Sequence, residues 1–139
     1  MKRLLLLSTL AGFALFSSAQ DVQIKKVPAP HTKASSGSQM FREYCAACHG
    51  LTGVGDGPAG PALKGAPADL TSLKAANHGN FPEARIGAVL RGSVDFHAHG
   101  SADMPTWGPL FHSMDGGNDS ALMELRVHNL TEYLKSIQK

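Results

Sequence analysis

The sequence of 139 residues predicts an all-α fold with long loops. Three segments show helical patterns, and no segment shows the sustained alternation of apolar and polar residues that is typical of a half-buried β-strand. Two long stretches between the helices, residues 50–65 and 92–117, are predicted as loops. The first is so rich in glycine that regular structure would cost too much conformational entropy.

The first nineteen residues have the features of an export signal. A basic start is followed by an apolar run, residues 4–16, and then by the small residues 17–19 that signal peptidases accept. A membrane-spanning helix usually takes about 20 apolar residues, and this run is shorter. We therefore expect a signal peptide over 1–19, cleavage after Ala19, an exported chain in the periplasm and no permanent membrane span. A retained N-terminal anchor is the alternative.

The charge of the chain gives no indication of nucleic-acid binding. The chain has 13 basic and 11 acidic residues, and the predicted signal holds two of the basic ones, so the mature protein is near neutral. Nucleic-acid-binding proteins usually carry a concentrated basic face. Residues 20–36 contain few apolar groups and are predicted to be a flexible leader, followed by one domain over residues 37–139.

The first two predicted helices have recognisable ends. Ser36 and Gln39 fit a capping box, and the helix that follows continues into residues 45–49. The second helix is predicted to begin with Asn80 as its cap and to end at Gly92, because glycine is common directly after a helix.

The last helix is predicted to run over about residues 119–138. It carries an apolar stripe at helical spacing: Met123, Val127, Leu130, Leu134 and Ile137. Where the first and last helices cross, we expect a contact from Phe41 or Tyr44. Its partner on the last helix is Leu130 or Tyr133.

The motif Cys-Ala-Ala-Cys-His, residues 45–49, contains both cysteines of the chain. A Cys-x-x-Cys pair occurs in redox disulfides, in zinc sites and in covalent haem attachment. A thioredoxin-type pair opens a helix after a strand, whereas this pair closes a helix in a chain without predicted strands. A structural zinc ion needs four ligands, and the motif offers three. Covalent haem uses the whole motif, because two thiols add to the vinyl groups and the next histidine binds iron.

The segments CAACHG, GPALKG, MPTWG and RVHNLTEYLKSIQ resemble the small bacterial class I c-type cytochromes, which carry one haem per chain. The likeness covers residues 36–139. It implies an all-α, class I cytochrome c-like fold, in which helices and long loops wrap around one covalently bound haem c. It also implies histidine and methionine as axial ligands of the iron, and electron transfer in the periplasm.

The resemblance assigns roles to several residues. Cys45 and Cys48 are expected to hold the porphyrin by thioether bonds, and His49 is expected to be the proximal iron ligand. The carbonyl of Pro61 is expected to accept a hydrogen bond from His49 Nδ1, which would orient the ring. Trp107 is expected either to donate its indole N–H to a haem propionate or to pack on the macrocycle.

Met104, which precedes a proline as in the family, is predicted to be the sixth ligand of the iron. A thioether sulfur favours ferrous iron and raises the reduction potential relative to two imidazoles. His97 and His99 are the rivals as iron ligand, and the other interpretations of these two histidines are a separate metal site and a plain exposed loop. The alternative interpretation of Met104 is that its side chain only fills the core. Another methionine, Met114, lies in a predicted loop that matches no motif of the family.

The predicted function is one-electron transfer, and the protein is not expected to be an enzyme. With both axial positions filled by protein, a substrate cannot reach the iron, and no nucleophile motif or acid–base pair accompanies the haem. Two alternatives stay open: a haem enzyme or gas-binding sensor with an open or His-ligated sixth site, and a cytochrome subunit of a larger membrane-associated respiratory complex. The expected partners are a redox donor and acceptor, such as a respiratory oxidase, reductase or dehydrogenase.

Overall fold

The computed structural model describes residues 29–94, 104–114 and 119–139. Within these ranges the chain contains six α-helices and no β-strand: α1 (Gly37–Met40), α2 (Ala46–His49), α3 (Leu73–Ala76), α4 (Glu83–Arg91), α5 (Trp107–Met114) and α6 (Ser120–Ser136). The predicted all-α class is therefore confirmed. No helix in this part of the chain is long and apolar enough to cross a membrane.

Several predictions from the sequence lie outside the described residues. They are the signal peptide over 1–19, the first part of the leader, and the two histidines that compete for the iron, His97 and His99. These interpretations stay predictions.

The helix that carries the Cys-Ala-Ala-Cys-His motif is continuous but changes its winding. A π-helical turn, Phe41–Cys45, joins α1 to α2. At its start Ser36 Oγ accepts a hydrogen bond from the N–H of Gln39 at 3.3 Å, as a capping residue does. The Gln39 side chain does not return this bond, because its Oε1 accepts from the N–H of Lys33 at 3.1 Å. Only half of the predicted capping box forms.

The last residues of the predicted leader are held against the helical domain. Thr32 is buried, and the guanidinium group of Arg126 donates to its carbonyl oxygen at 2.9 Å and to its hydroxyl oxygen at 3.0 Å. The hydroxyl of Tyr44 donates to the carbonyl oxygen of Pro30 at 2.6 Å. Polar side chains of the domain therefore give this segment a fixed position that its own composition does not predict.

Helices α1 and α6 cross with their backbones in contact at Gly37. A Cβ atom at this position would collide with the carbonyl oxygen of Asn129 and with the Cβ of Tyr133. Next to the crossing, the rings of Phe41 and Tyr133 lie 5.2 Å apart at an angle of 47°. This contact is one of those predicted from the sequence, and it fixes the motif-bearing helix on α6.

Helix α5 lies in a stretch that was predicted to be loop, so that part of the prediction was wrong. Trp107 and Phe111 are spaced four residues apart and both enter the core. Pro109 stands in the first turn, where its missing N–H would have had no helical partner. Gly108 is required because a Cβ there would collide with the backbone of Arg91 at the end of α4. Burial against neighbouring helices outweighs the low intrinsic helix propensity.

The start of α4 also differs from the prediction, whereas its end agrees. The helix is preceded by Pro82 without a side-chain cap. Asn80 belongs instead to the preceding turn, where its carbonyl oxygen accepts from Asn77 Nδ2 at 2.8 Å. Gly92 ends the helix in the left-handed conformation, with φ 75° and ψ 21°, as its residue type predicts.

The residue before helix α6 caps it with its side chain. Asp119 Oδ1 accepts from the N–H groups of Ala121 and Leu122, each at 3.0 Å. Three residues of the predicted apolar stripe are buried in the core: Val127, Leu130 and Leu134. The stripe therefore predicted both the element and its buried face.

We predict that Gly37→Ala lowers the free energy of unfolding by about 1–3 kcal/mol, the usual cost of overpacking a close contact. The added Cβ meets a backbone carbonyl of α6, which cannot move aside as a side-chain end would. Urea unfolding of the purified protein measures the change. Gly60→Ala is the control, because a Cβ there meets only contacts of 3.6 Å or more. Equal stability of the two variants would contradict the close crossing.

Candidate haem site

The two cysteines lie one helical turn apart at the end of the motif-bearing helix. Cys45 is the last residue of the π-helical turn and is buried, and Cys48 in α2 is half-buried. Burial, with a smaller contribution from Cys48, raises the pKa of the Cys45 thiol to about 12. Catalytic redox pairs instead have a cysteine with a lowered pKa. The environment therefore disfavours the interpretation as a redox disulfide.

His49, the last residue of α2, has its ring oriented by a backbone carbonyl. Its Nδ1 lies 3.0 Å from the carbonyl oxygen of Ala68. A carbonyl oxygen can only accept a hydrogen bond, so the proton is on Nδ1 and the lone pair of Nε2 is available for a metal ion. The same arrangement orients histidine ligands in many metal sites.

The resemblance to class I cytochromes c implies that Pro61 provides this carbonyl, and the structure corrects that expectation. Pro61 lies exposed in a single 3₁₀ turn, Gly60–Ala62, and Ala68 accepts the bond instead. The reason is that the backbone at Gly55 lies close to both His49 and Pro67. The Gly55 N–H donates to the carbonyl oxygen of His49 at 2.9 Å. A Cβ at Gly55 would collide with the carbonyl oxygen of Pro67, so the backbone at this point brings the 67–68 segment beside the histidine.

The glycine-rich stretch over residues 50–65 is irregular apart from that 3₁₀ turn, as predicted. Its backbone N–H groups bond the carbonyls that α2 leaves without helical partners: Gly57 donates to Cys48 at 3.1 Å, and Ala59 donates to Ala47 at 2.8 Å. A Cβ at Gly57 would collide with the backbone of these same residues. The loop therefore holds the end of the attachment helix directly through its backbone.

Met104 and Trp107 lie just before and at the start of α5. Met104 is half-buried and packs against the hydrophobic core. Trp107 is 8% exposed, and its ring lies 5.5 Å from that of Tyr44. The indole Nε1 is buried without a hydrogen-bond partner in the described part of the protein. Such a donor costs about 1–3 kcal/mol when it stays unpaired, so a hydrogen-bond acceptor at this position would stabilise the fold.

Other methionines have contacts within the protein. Met40 is fully buried, as expected of a core residue. Met114 lies at the end of α5 rather than in a loop, and its Sδ is 3.4 Å from the hydroxyl of Tyr44. Among the residues that the structure describes, no group of three or more His, Cys, Asp or Glu side chains is placed to hold a metal ion. Within residues 45–49 the donors are two thiols and one imidazole, the set that covalent haem attachment uses.

A family model described as cytochrome c oxidase, cbb3-type, subunit III matches residues 32–118. This stretch contains the Cys-Ala-Ala-Cys-His motif, the glycine-rich loop, Met104 and Trp107. The chain belongs to this family. It is a small class I c-type cytochrome, with the helical fold of that class and a covalently bound haem c. No match was found among the curated proteins or among the solved structures compared with it.

The described residues of this cytochrome fit the haem in three respects. Two thiols lie one turn apart on one helix, His49 presents Nε2 with its lone pair free, and the Trp107 N–H finds no acceptor among these described residues. Haem supplies a one-electron couple when bound. The chain would supply attachment, ring orientation and a donor for an anionic group.

We predict that Trp107→Phe lowers the free energy of unfolding of the haem-loaded cytochrome by about 1.5–3 kcal/mol, the usual worth of a hydrogen bond to a charged group. Phenylalanine keeps most of the packing and removes the N–H, which would leave a propionate without its donor. Chemical unfolding followed at the haem absorption measures the change. An equal or higher stability of the variant would show that the indole N–H only packs on the macrocycle.

Proposed function

We propose that this cytochrome is an exported one-electron carrier, whose iron is bound by His49 and Met104. The observation that carries the proposal is the hydrogen bond of His49. It leaves Nε2 as the free nitrogen of a histidine that directly follows two cysteines in one helix. The attachment of the haem through Cys45 and Cys48 is part of the same proposal.

Met104 is supported as the sixth ligand by its position and by its surroundings. It stands beside the core, three residues before the buried Trp107, and Met40 and Met114 are engaged within the protein. A thioether ligand favours ferrous iron and gives a higher potential than a second imidazole. With histidine and methionine both bound, the iron has no open position for a substrate, and electron transfer through the haem edge is the remaining chemistry.

The partner is proposed to be a redox protein of a respiratory oxidase system, because the matching family carries the description of an oxidase subunit. The features of residues 1–19 support export to the periplasm, where such donors and acceptors operate. A second candidate function follows from the same description: the chain acts as a bound subunit of an oxidase complex. Purification from native membranes at low and at high salt separates a bound subunit, which stays with the complex, from a free carrier, which does not.

We predict that the haem stays on the chain during acid–acetone extraction, because thioether bonds survive conditions that remove a haem bound only through its iron. The double variant Cys45→Ala/Cys48→Ala should release its haem in the same treatment. Absorption of the extracted protein in alkaline pyridine measures what remains. Complete extraction from the natural chain would refute attachment through the motif.

We predict that Met104→Ala removes the weak methionine–iron charge-transfer band at the red end of the ferric spectrum. The variant should also have a lower reduction potential and should bind carbon monoxide, because an axial position is opened. Visible spectroscopy and redox titration measure these properties.

The control variants are Met114→Leu, His97→Ala and His99→Ala, each of which should keep the band and the potential of the natural protein. If the natural protein lacks the band and His97→Ala or His99→Ala shifts the potential, the iron has two histidine ligands. If the natural ferrous protein binds carbon monoxide readily, the sixth site is open and a gas-binding or catalytic function is the better account.

A further inference from the structure

The hydrogen bond between His49 and Ala68 depends on how the residues after Ala68 are held. The next residue, Asp69, forms a tight turn in which its Oδ1 accepts from the N–H of Thr71 at 2.8 Å and from the Thr71 hydroxyl at 2.5 Å. Thr71 is 3% exposed, so this turn is anchored in the interior. The direction of the chain directly after the Ala68 carbonyl is fixed by these bonds.

The residues that follow α6 hold the same turn from another side. The side-chain amide of Gln138 donates through Nε2 to the carbonyl oxygens of Leu70, at 2.7 Å, and Leu134, at 2.6 Å. Its Oε1 accepts from the N–H of Lys74 at 2.9 Å. The backbone N–H of the last residue donates to the Thr71 carbonyl oxygen at 3.0 Å. One neutral side chain thus ties the 70–74 segment to α6.

The turn is also tied to the glycine-rich loop. Leu70 donates its N–H to the carbonyl oxygen of Gly53 at 2.7 Å. The segment that carries the Ala68 carbonyl therefore lies between this loop, which holds the end of α2, and the end of α6, which packs on α1. The two sides together leave the carbonyl little freedom to move relative to His49.

We propose that Gln138 and Asp69 are positioning residues, which hold the Ala68 carbonyl against His49 and thereby set the reduction potential of the haem iron. The inference rests on the proposed ligation of iron by His49. A firm hydrogen bond from Nδ1–H raises the basicity of the imidazole, and a more basic ligand stabilises ferric over ferrous iron. Release of the turn therefore weakens the bond and raises the potential.

The test is Gln138→Ala in the haem-loaded protein, because this change removes three hydrogen bonds without changing the charge. Two properties are measured: the reduction potential, by spectroelectrochemical titration, and the solvent exchange of the His49 Nδ1 proton, by nuclear magnetic resonance of the ferrous protein. We expect a higher potential, and exchange that is roughly tenfold faster, the change that corresponds to about one hydrogen bond.

Asn129→Ala is the matched control. Asn129 is a neutral amide on α6, and its Nδ2 also donates to a loop carbonyl, that of Ala34 at 3.1 Å, and to the carbonyl four residues earlier, that of Leu125 at 2.9 Å. Neither acceptor belongs to the 68–74 segment. The control therefore loses bonds of the same kind and should keep the potential and the exchange rate of the natural protein.

A second variant, Thr71→Val, keeps a similar shape and removes only the hydroxyl that donates to Asp69. It should shift both properties in the same direction, by a smaller amount, and it tests the proposal if Gln138→Ala does not fold. The proposal is overturned if both variants match the natural protein, or if Asn129→Ala shifts the two properties equally.

Failure of the proposed sixth ligand has a different signature. It appears as carbon monoxide binding to the natural ferrous protein, and it leaves the comparison of Gln138→Ala with Asn129→Ala valid, because the hydrogen bond of His49 to Ala68 does not involve Met104.

Discussion

The hydrogen bond from His49 Nδ1 to the Ala68 carbonyl links every part of the site. It fixes the tautomer of the imidazole, so Nε2 is the nitrogen available to a metal ion, and it requires two distant segments to meet. The first segment is the end of α2, which the glycine-rich loop bonds through its backbone. The second is the turn at residues 68–74, which is held by Gln138, two residues beyond the end of α6. Because α6 also crosses α1 at Gly37, the same helix positions the motif-bearing helix and, through its bond to Gln138, the segment that orients the histidine.

Two features of the described residues are accounted for by a covalently bound haem. The indole N–H of Trp107 is buried without a partner in the described part of the chain, and burial raises the pKa of the Cys45 thiol to about 12, which suits neither a redox pair nor a reactive nucleophile. Attachment of the haem at Cys45 would convert the thiol into a thioether, and a propionate would offer the indole an acceptor. The family match over residues 32–118 is consistent with this account, because it covers the motif as well as Trp107.

The sequence predicted what depends on local pattern. The apolar stripe of α6, the terminating Gly92 and the capping Ser36 each follow from spacing or from residue type, and the structure shows the element or contact that each one predicts. The contact of Phe41 with Tyr133 was also among those expected, because both residues lie where the first and last helices cross.

The sequence did not predict what depends on tertiary contact. Helix α5 was missed because Gly108 and Pro109 suggest a loop, whereas burial of Trp107 and Phe111 decides the conformation. Pro61 was chosen as the partner of His49 by likeness, but the close approach at Gly55 selects Ala68 instead. That approach depends on two loops meeting in space, and no local pattern encodes it.

X-ray absorption at the iron edge of the purified cytochrome tests the central claim most directly, because it counts the atoms bound to iron without any substitution. Ligation by His49 and Met104 predicts six-coordinate iron with one sulfur neighbour and five nitrogen neighbours, four of them from the porphyrin, in both oxidation states. Six nitrogen neighbours without sulfur would contradict methionine ligation. Five-coordinate iron would contradict the electron-carrier function itself.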